Sequence, residues 1–222
     1  MKMAKTNTLS LLAALGFVFG AISGAGVAAP AQAEERTYSI VPSQSALTIL
    51  VGKAGALSGL GHEHLIAAKA FTGRAVLPMN EVSRASFVIE LDAASLSVRD
   101  KGISDKDRTQ IQSAMQTKVI ETARFPKISF RSASLTNLQA STNGYTLTIT
   151  GDLSLHGLVK RIAVPVVLSI TPEQLRATGE VVIKQTDFGI KPYSAAAGTV
   201  KVMDVLQIKF EIVARPAETG KK

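Results

Sequence analysis

The sequence contains no cysteine and no tryptophan, and aromatic residues fill only 5% of its 222 positions. Without thiols, a disulfide scaffold, a cysteine-ligated zinc site and a thiol nucleophile are excluded. With few aromatics there is little to stack on nucleobases, so the formal charge of +8 is weak support for a nucleic-acid partner. That charge is also diffuse. Lysine and arginine are scattered singly from Lys53 to Lys209, and the only tight pairs are Lys160-Arg161 and Lys221-Lys222. At 46% hydrophobic and 19% charged residues the chain is too apolar for a disordered protein. It shows no internal repeat, no low-complexity linker and no second composition regime, so a single folded domain is expected.

The first 33 residues have the pattern of an export signal. Lys2 and Lys5 form a positive start, a charge-free apolar stretch runs from Leu9 to Val27, and Ala31-Gln32-Ala33 supplies a small-x-small cleavage pattern ahead of Glu34 and Glu35. Cleavage after Ala33 is expected, with release into the periplasm. The alternative cut after Ala29 would leave Pro30 directly beyond it. A retained anchor is disfavoured because Gly16, Gly20, Gly24 and Gly26 dilute the apolar stretch. The expected organisation is therefore a signal peptide over 1–33, one folded domain over 34–216 and a polar tail over 217–222.

Within that domain the dominant pattern is alternation, the mark of half-buried strands. Tyr145, Leu147, Ile149, Leu153 and Leu155 lie on one parity, while Thr146, Thr148, Thr150, Asp152 and Ser154 lie on the other. Phe87, Ile89 and Leu91 alternate in the same way, as do Leu206, Ile208, Phe210 and Ile212. Further strands are predicted over 46–51, 65–77, 127–135, 162–170 and 179–184. Turn chemistry falls at Pro78-Met79-Asn80, Asn143-Gly144, His156-Gly157 and Thr171-Pro172. One segment differs. Ser104 and Asp107 form a capping pattern, followed by Ile111, Ala114, Met115 and Val119 at helical spacing, which predicts a helix of about four turns ending before Phe125-Pro126. At least eight antiparallel strands with one amphipathic helix predict an all-β protein, a closed barrel. Its inward parities include Phe87, Ile89, Leu147, Ile149, Val166, Leu206, Ile208 and Phe210. Such residues build either a filled core or the wall of a ligand cavity, and parity alone does not separate the two.

Of three histidines, two form His62-Glu63-His64. Residues two apart on a strand point to one face, so both rings can reach a single metal ion, given a third ligand from elsewhere. The plainer reading is a polar pair at a barrel mouth after the Gly59-Gly61 turn. His62 and His64 share the parity of Ile66, Ala68 and Ala70; if that face is inward, both rings are candidate contacts for a ligand headgroup. His156 falls on the polar parity of its strand, which points it outward, into a turn. Serine hydrolase and phosphate-binding signatures are absent, and Asp187-Phe188-Gly189 stands without other kinase motifs and is read as a turn. No catalytic residues are assigned.

Six motifs in order resemble the YceI-like family of bacterial periplasmic proteins. They are Tyr38-Ser39-Ile40 with Pro42-Ser43 and Ser45, Phe71-Thr72-Gly73, Ser104-Asp105-Lys106 with Arg108, Ala123 through Ser132, Thr150 through Gly157, and Asp187 through Ile190. The resemblance spans Arg36 to Arg215 and implies a lipocalin-like antiparallel barrel whose elongated apolar cavity holds a polyisoprenoid or isoprenoid quinone. It departs from the usual pattern in two places. Val41 and Gln44 stand where the family carries an acid and a histidine, and His62-Glu63-His64 marks a variant subgroup. The expected function is that of a periplasmic binding or carrier protein for a long amphiphile, not an enzyme. No cofactor is expected beyond a bound isoprenoid lipid or quinone. The expected partner is that small ligand, with no nucleic acid; transient membrane contact and a homodimer are both compatible. The alternatives are a metal-binding protein or metal-dependent enzyme built on His62 and His64, and a stress-related interaction protein for which the barrel is only a scaffold.

Overall fold

A computed structural model describes residues 34–55, 63–78, 81–195 and 199–217. Twelve strands form one sheet: β1 (Glu35–Ile40), β2 (Ala46–Ala54), β3 (His64–Ala68), β4 (Phe71–Pro78), β5 (Ser86–Asp92), β6 (Leu96–Val98), β7 (Lys127–Ser141), β8 (Gly144–Leu155), β9 (Leu158–Ile170), β10 (Leu175–Lys184), β11 (Ser194–Ala195) and β12 (Val200–Pro216). Eight of them close a ring in the order β1-β4-β5-β7-β8-β9-β10-β12, and the closing pair matches Tyr38 with Pro216 and Ile40 with Ala214. The predicted all-β antiparallel barrel is what the chain forms. From the long β12 a branch leaves through β2 and β3 to β6, which ends the path.

Closure satisfies the backbone groups that an open sheet would expose. On one side the ladders are long, with register shifts in β7–β8 alone, at Ser132/Ser134 and Thr136/Gln139. β8 pairs with β9 from Gly144↔Ser169 to Leu155↔Leu158, and β10 pairs with β12 from Leu175↔Ala214 to Lys184↔Val205. On the other side three kinks interrupt the strands. Pro42 has no N–H to give a ladder, so the chain turns there, and Ser45 covers the gap: its Oγ donates to the Val41 carbonyl at 2.8 Å and accepts from the Val213 N–H at 2.9 Å. The turn between β5 and β6 is capped by Asp92, whose carboxylate accepts from Ala94 N–H at 3.0 Å, while Ser95 Oγ donates to the Asp92 carbonyl at 2.7 Å.

The third kink corrects an expectation. The single strand predicted over 65–77 is two strands, β3 and β4, separated at Lys69-Ala70. Before the break Ile66 faces inward and Leu65 is exposed; after it Phe71, Ala75 and Leu77 are buried. The inward parity therefore switches from even to odd numbers, which one continuous strand cannot do. β6 and β11 are too short to show alternation. The turn predicted at Asn143-Gly144 falls at Thr142-Asn143, and Met79 and Asn80 lie outside the described residues, as do residues 1–33.

The helix α1 (Asp105–Ala114) begins as predicted. Ser104 Oγ accepts from the Asp107 N–H at 3.1 Å, and the chain continues through one wider turn over Met115–Val119. Beside it β6 has no strand on its outer edge. Gln112 takes that place: Val98 N–H donates to Gln112 Oε1 and Gln112 Nε2 donates to the Leu96 carbonyl, each at 2.8 Å. Gln116 adds a bond to the Ala94 carbonyl at 3.0 Å. The helix thus stands in for a strand, held by side chains.

Candidate functional site

The interior holds a cavity of about 470 Å³. Its wall is almost entirely carbon, because every strand of the ring turns one parity inward. All eight residues selected from the sequence line it: Phe87 and Ile89 on β5, Leu147 and Ile149 on β8, Val166 on β9, and Leu206, Ile208 and Phe210 on β12. Gly179 on β10 makes room for Phe210, since a Cβ there would fall against the Pro165 carbonyl and the Phe210 ring. The helix contributes Ile111, Ala114, Met115 and Val119. These four were placed on a helix by spacing, but their place on the wall follows only from the gap beside β6.

The polar residues on the wall are His64, Ser86, Gln110, Ser129, Gln185 and Tyr193, and three of them share one end. His64 opens β3 and pairs with Val51, which pairs in turn with Leu206. Gln185 follows β10, and the Tyr193 carbonyl accepts from the Val202 N–H at 3.1 Å, so both belong to the same rim. Gln110 reaches the cavity from α1. At the other end, Leu168, Leu175, Leu77 and Ala214 line the cavity. No Lys, Arg, Asp or Glu lines the cavity among the described residues, and the internal segments 56–62, 79–80 and 196–198 contain none of them in sequence.

His64 is held by a residue that sequence reading missed. Asp100, only 2% exposed at its side chain, places Oδ2 at 2.7 Å from His64 Nδ1, and its Oδ1 accepts from the Leu65 N–H at 2.7 Å. Arg108 donates to the Asp100 carbonyl at 2.7 Å, and Arg99 N–H donates to the Leu65 carbonyl at 2.7 Å, which extends the pairing of β3 with β6. Asp100 lies 36 residues from His64 and follows a three-residue strand, so nothing local marks it. His62 lies outside the described residues. Glu63 is exposed, in keeping with its parity with exposed Leu65. Among the described residues no three histidine, aspartate or glutamate side chains are grouped to hold a metal ion.

His156 is not directed outward as the parity of β8 implied. It sits in the two-residue turn between β8 and β9 with φ 52°, followed by Gly157 at 76°, and this pair of positive angles breaks the alternation. Its side chain is 12% exposed, its Nε2 lies 3.0 Å from Glu121 Oε2, and its ring packs on Phe125 at 4.2 Å between centroids. Arg124, 2.7 Å from Oε1, and then His156 hold the Glu121 carboxyl below its ordinary value. This cluster lies off the cavity wall. Asp187-Phe188-Gly189 forms a tight turn with Gly189 at φ 69° and Phe188 buried.

A closed eight-stranded barrel around a carbon-lined cavity with a few polar side chains on its wall defines a barrel-type small-molecule binding protein. The chain belongs to the YceI-like domain family, whose profile matches residues 38–214. Solved structures share the fold. BcnA of Burkholderia cenocepacia is 20% identical with a TM-score of 0.61, covering 78% of this chain and 98% of its own. A polyisoprenoid binding domain from Saccharophagus degradans, implicated in plant cell wall breakdown, is 12% identical with a TM-score of 0.58, covering 81% and 98%. The YceI protein of Campylobacter jejuni is 14% identical with a TM-score of 0.52, covering 69% and 85%. No curated protein matches the chain in sequence.

Proposed function

We propose that the protein is an exported, periplasmic carrier that holds one long apolar amphiphile, a polyisoprenoid or isoprenoid quinone, inside its barrel. The observation that carries this reading is the cavity itself: about 470 Å³ walled by aliphatic and aromatic side chains. Each CH₂ moved from water into such a wall contributes about 0.8 kcal/mol, so a tail of several prenyl units binds without a polar contact. The absence of a charged side chain on the wall among the described residues points to an uncharged headgroup. A phosphate would lose its hydration there with no lysine or arginine among the described wall residues to replace it. His64 is the headgroup contact at the rim, and the His62-Glu63-His64 segment marks a variant within the family. The fold shared with a polyisoprenoid binding domain supports the ligand class, and the pattern of residues 1–33 supports export.

Mass spectrometry of organic extracts from protein purified natively, without detergent, tests the reading. One prenyl lipid or quinone per chain is expected; protein that carries no lipid and takes up none from prenyl-lipid micelles overturns it. N-terminal sequencing of the secreted form is expected to begin at Glu34, and recovery of Met1 overturns the export reading.

A further inference from the structure

Most of the cavity wall is backbone ladder, but one stretch is closed differently. Between β6 and α1 the bonds come from side chains: Gln112 on Val98 and Leu96, Gln116 on the Ala94 carbonyl and Arg108 on the Asp100 carbonyl. Such bonds exchange for water at small net cost, whereas a ladder opens only as a cooperative unit. The seam is also one side chain thick. Leu96 lines the cavity and also lines an outer groove, together with Ser97, Val98, Arg108 and Thr109. From the helix, Gln110, Ile111 and Ala114 face the cavity, yet none of the ten residues of α1 is fully buried. On β8 and β9 the wall residues Leu147, Leu155 and Val166 are all buried. An element with few buried side chains belongs to the least stable part of a structure.

The two ends of this helical segment are held differently. Ahead of it the chain turns at Gly102, φ 76°, with open space where a Cβ would stand. Beyond the wide turn over Met115–Val119 comes Glu121 at φ 50°, fixed by Arg124 at 2.7 Å and by His156 at 3.0 Å. A left-handed backbone at a glutamate is strained and persists only where its surroundings hold it. The segment is therefore pinned at its end and joined at its start by a glycine loop.

We propose that the seam between β6 and α1 is the portal through which the ligand enters and leaves. The helix swings outward about Glu121, Leu96 and Ile111 part, and the apolar tail passes sideways into the barrel. This rests on the carrier reading above and adds the route. The far end of the cavity is sealed by buried Leu77, Leu175 and Ala214, so the competing route is the rim beside His64.

The chain has no cysteine, so an engineered pair supplies its only thiols. Ser97→Cys/Thr109→Cys places one thiol on each side of the outer groove and none on the cavity wall, and a short bismaleimide then ties α1 to β6. Tritiated geranylgeraniol is the probe, exchanged with neutral phosphatidylcholine vesicles. The tied protein is expected to take up and release the probe at least about tenfold more slowly than the same variant capped with N-ethylmaleimide. Its Kd should stay unchanged, because the closed state is the same in both. A tie between β8 and β9 through Thr146→Cys/Val167→Cys, at outward positions paired in register, should leave the rates alone. Gln112→Ala needs no cross-link and should raise both rates about two- to tenfold, the range of one net hydrogen bond. Unchanged rates in the tied protein, unchanged rates in a folded Gln112→Ala protein, or equal slowing by the β8–β9 tie overturn the proposal and leave the carrier reading standing, with passage at the rim. If wild type takes up no geranylgeraniol, the carrier reading fails, and this one with it.

Discussion

The two sides of the barrel perform one task by different means. From β7 to β10 the wall is built of strands ten or more residues long, joined by backbone ladders. From β2 to β6 the strands are broken at Pro42, at Lys69-Ala70 and at Ala93, and the last stretch of wall is a helix attached through Gln112 and Gln116. The regular side contributes mostly carbon to the cavity. The broken side brings His64, Gln110 and, through the chain after β6, the buried Asp100. A kinked strand ends its alternation and leaves backbone groups that side chains must satisfy. The headgroup end of the cavity is thus shared: His64 comes from the broken side, and Gln185 and Tyr193 come from the chain after β10.

The largest test of this contrast is on the regular side. Leu147→Ala should cost about 2 to 5 kcal/mol in denaturant unfolding, because Leu147 is 5% exposed and packed in the core. Its outward neighbour Thr148→Ala should cost less than about 0.5 kcal/mol. Equal costs at the two positions would show that inward and outward parity carry no distinction there. On the broken side Gln112→Ala strips two hydrogen bonds from the edge of β6 and should cost about 1 to 3 kcal/mol. Amide exchange at Val98 should accelerate while the amides shared by β8 and β9 keep their protection; a uniform change across the sheet would mean the helix is not a separable part of the wall. Ser104→Ala removes the helix cap and should cost about 1 kcal/mol, read as a lower melting temperature.

The smallest effect expected is from the ion pairs outside the cavity. Arg161 makes two bonds of 2.9 Å to Asp152 and lowers its pKa; Glu121 is lowered by Arg124 and then His156. A carboxylate lowered in the folded state contributes stability above its unfolded pKa and loses it as pH falls through the folded value. Acid should therefore reduce stability slightly through both groups. Asp152→Asn should flatten part of that acid loss in melting curves while leaving the neutral-pH melt almost unchanged, because exposed pairs contribute little. An Asp152→Asn protein that is more sensitive to acid than wild type would reverse the assigned sign.

The contrast between the sides also explains what could be read from the chain. Along β8 the two faces meet different media, carbon within and water outside, so Tyr145 to Leu155 alternates and the inward residues can be named. The same holds for Phe87 and Ile89, and for Leu206 to Phe210. Ser104 and Asp107 announce the helix because a cap is a local contact. The break between β3 and β4 also left a trace, the change of inward parity between Ile66 and Phe71, which a reading of one long strand passes over. His156 escaped because a positive φ in a two-residue turn ends the rule by which parity projects direction. Asp100 left no trace, since its partner is 36 residues distant.

Composition and alternation by themselves determined that this chain would be an antiparallel β-barrel with one capped helix, and which side chains would face inward. Those properties follow from the period of a strand and the difference between its two faces, which are local. Only the tertiary structure decided that the interior is a cavity and not a filled core, because that depends on the girth of the closed ring and on where Gly179 and the kinks let side chains sit. It alone decided that His64 meets a buried carboxylate, because the meeting is made by β3 pairing with β6 across a stretch of chain that carries no record of it.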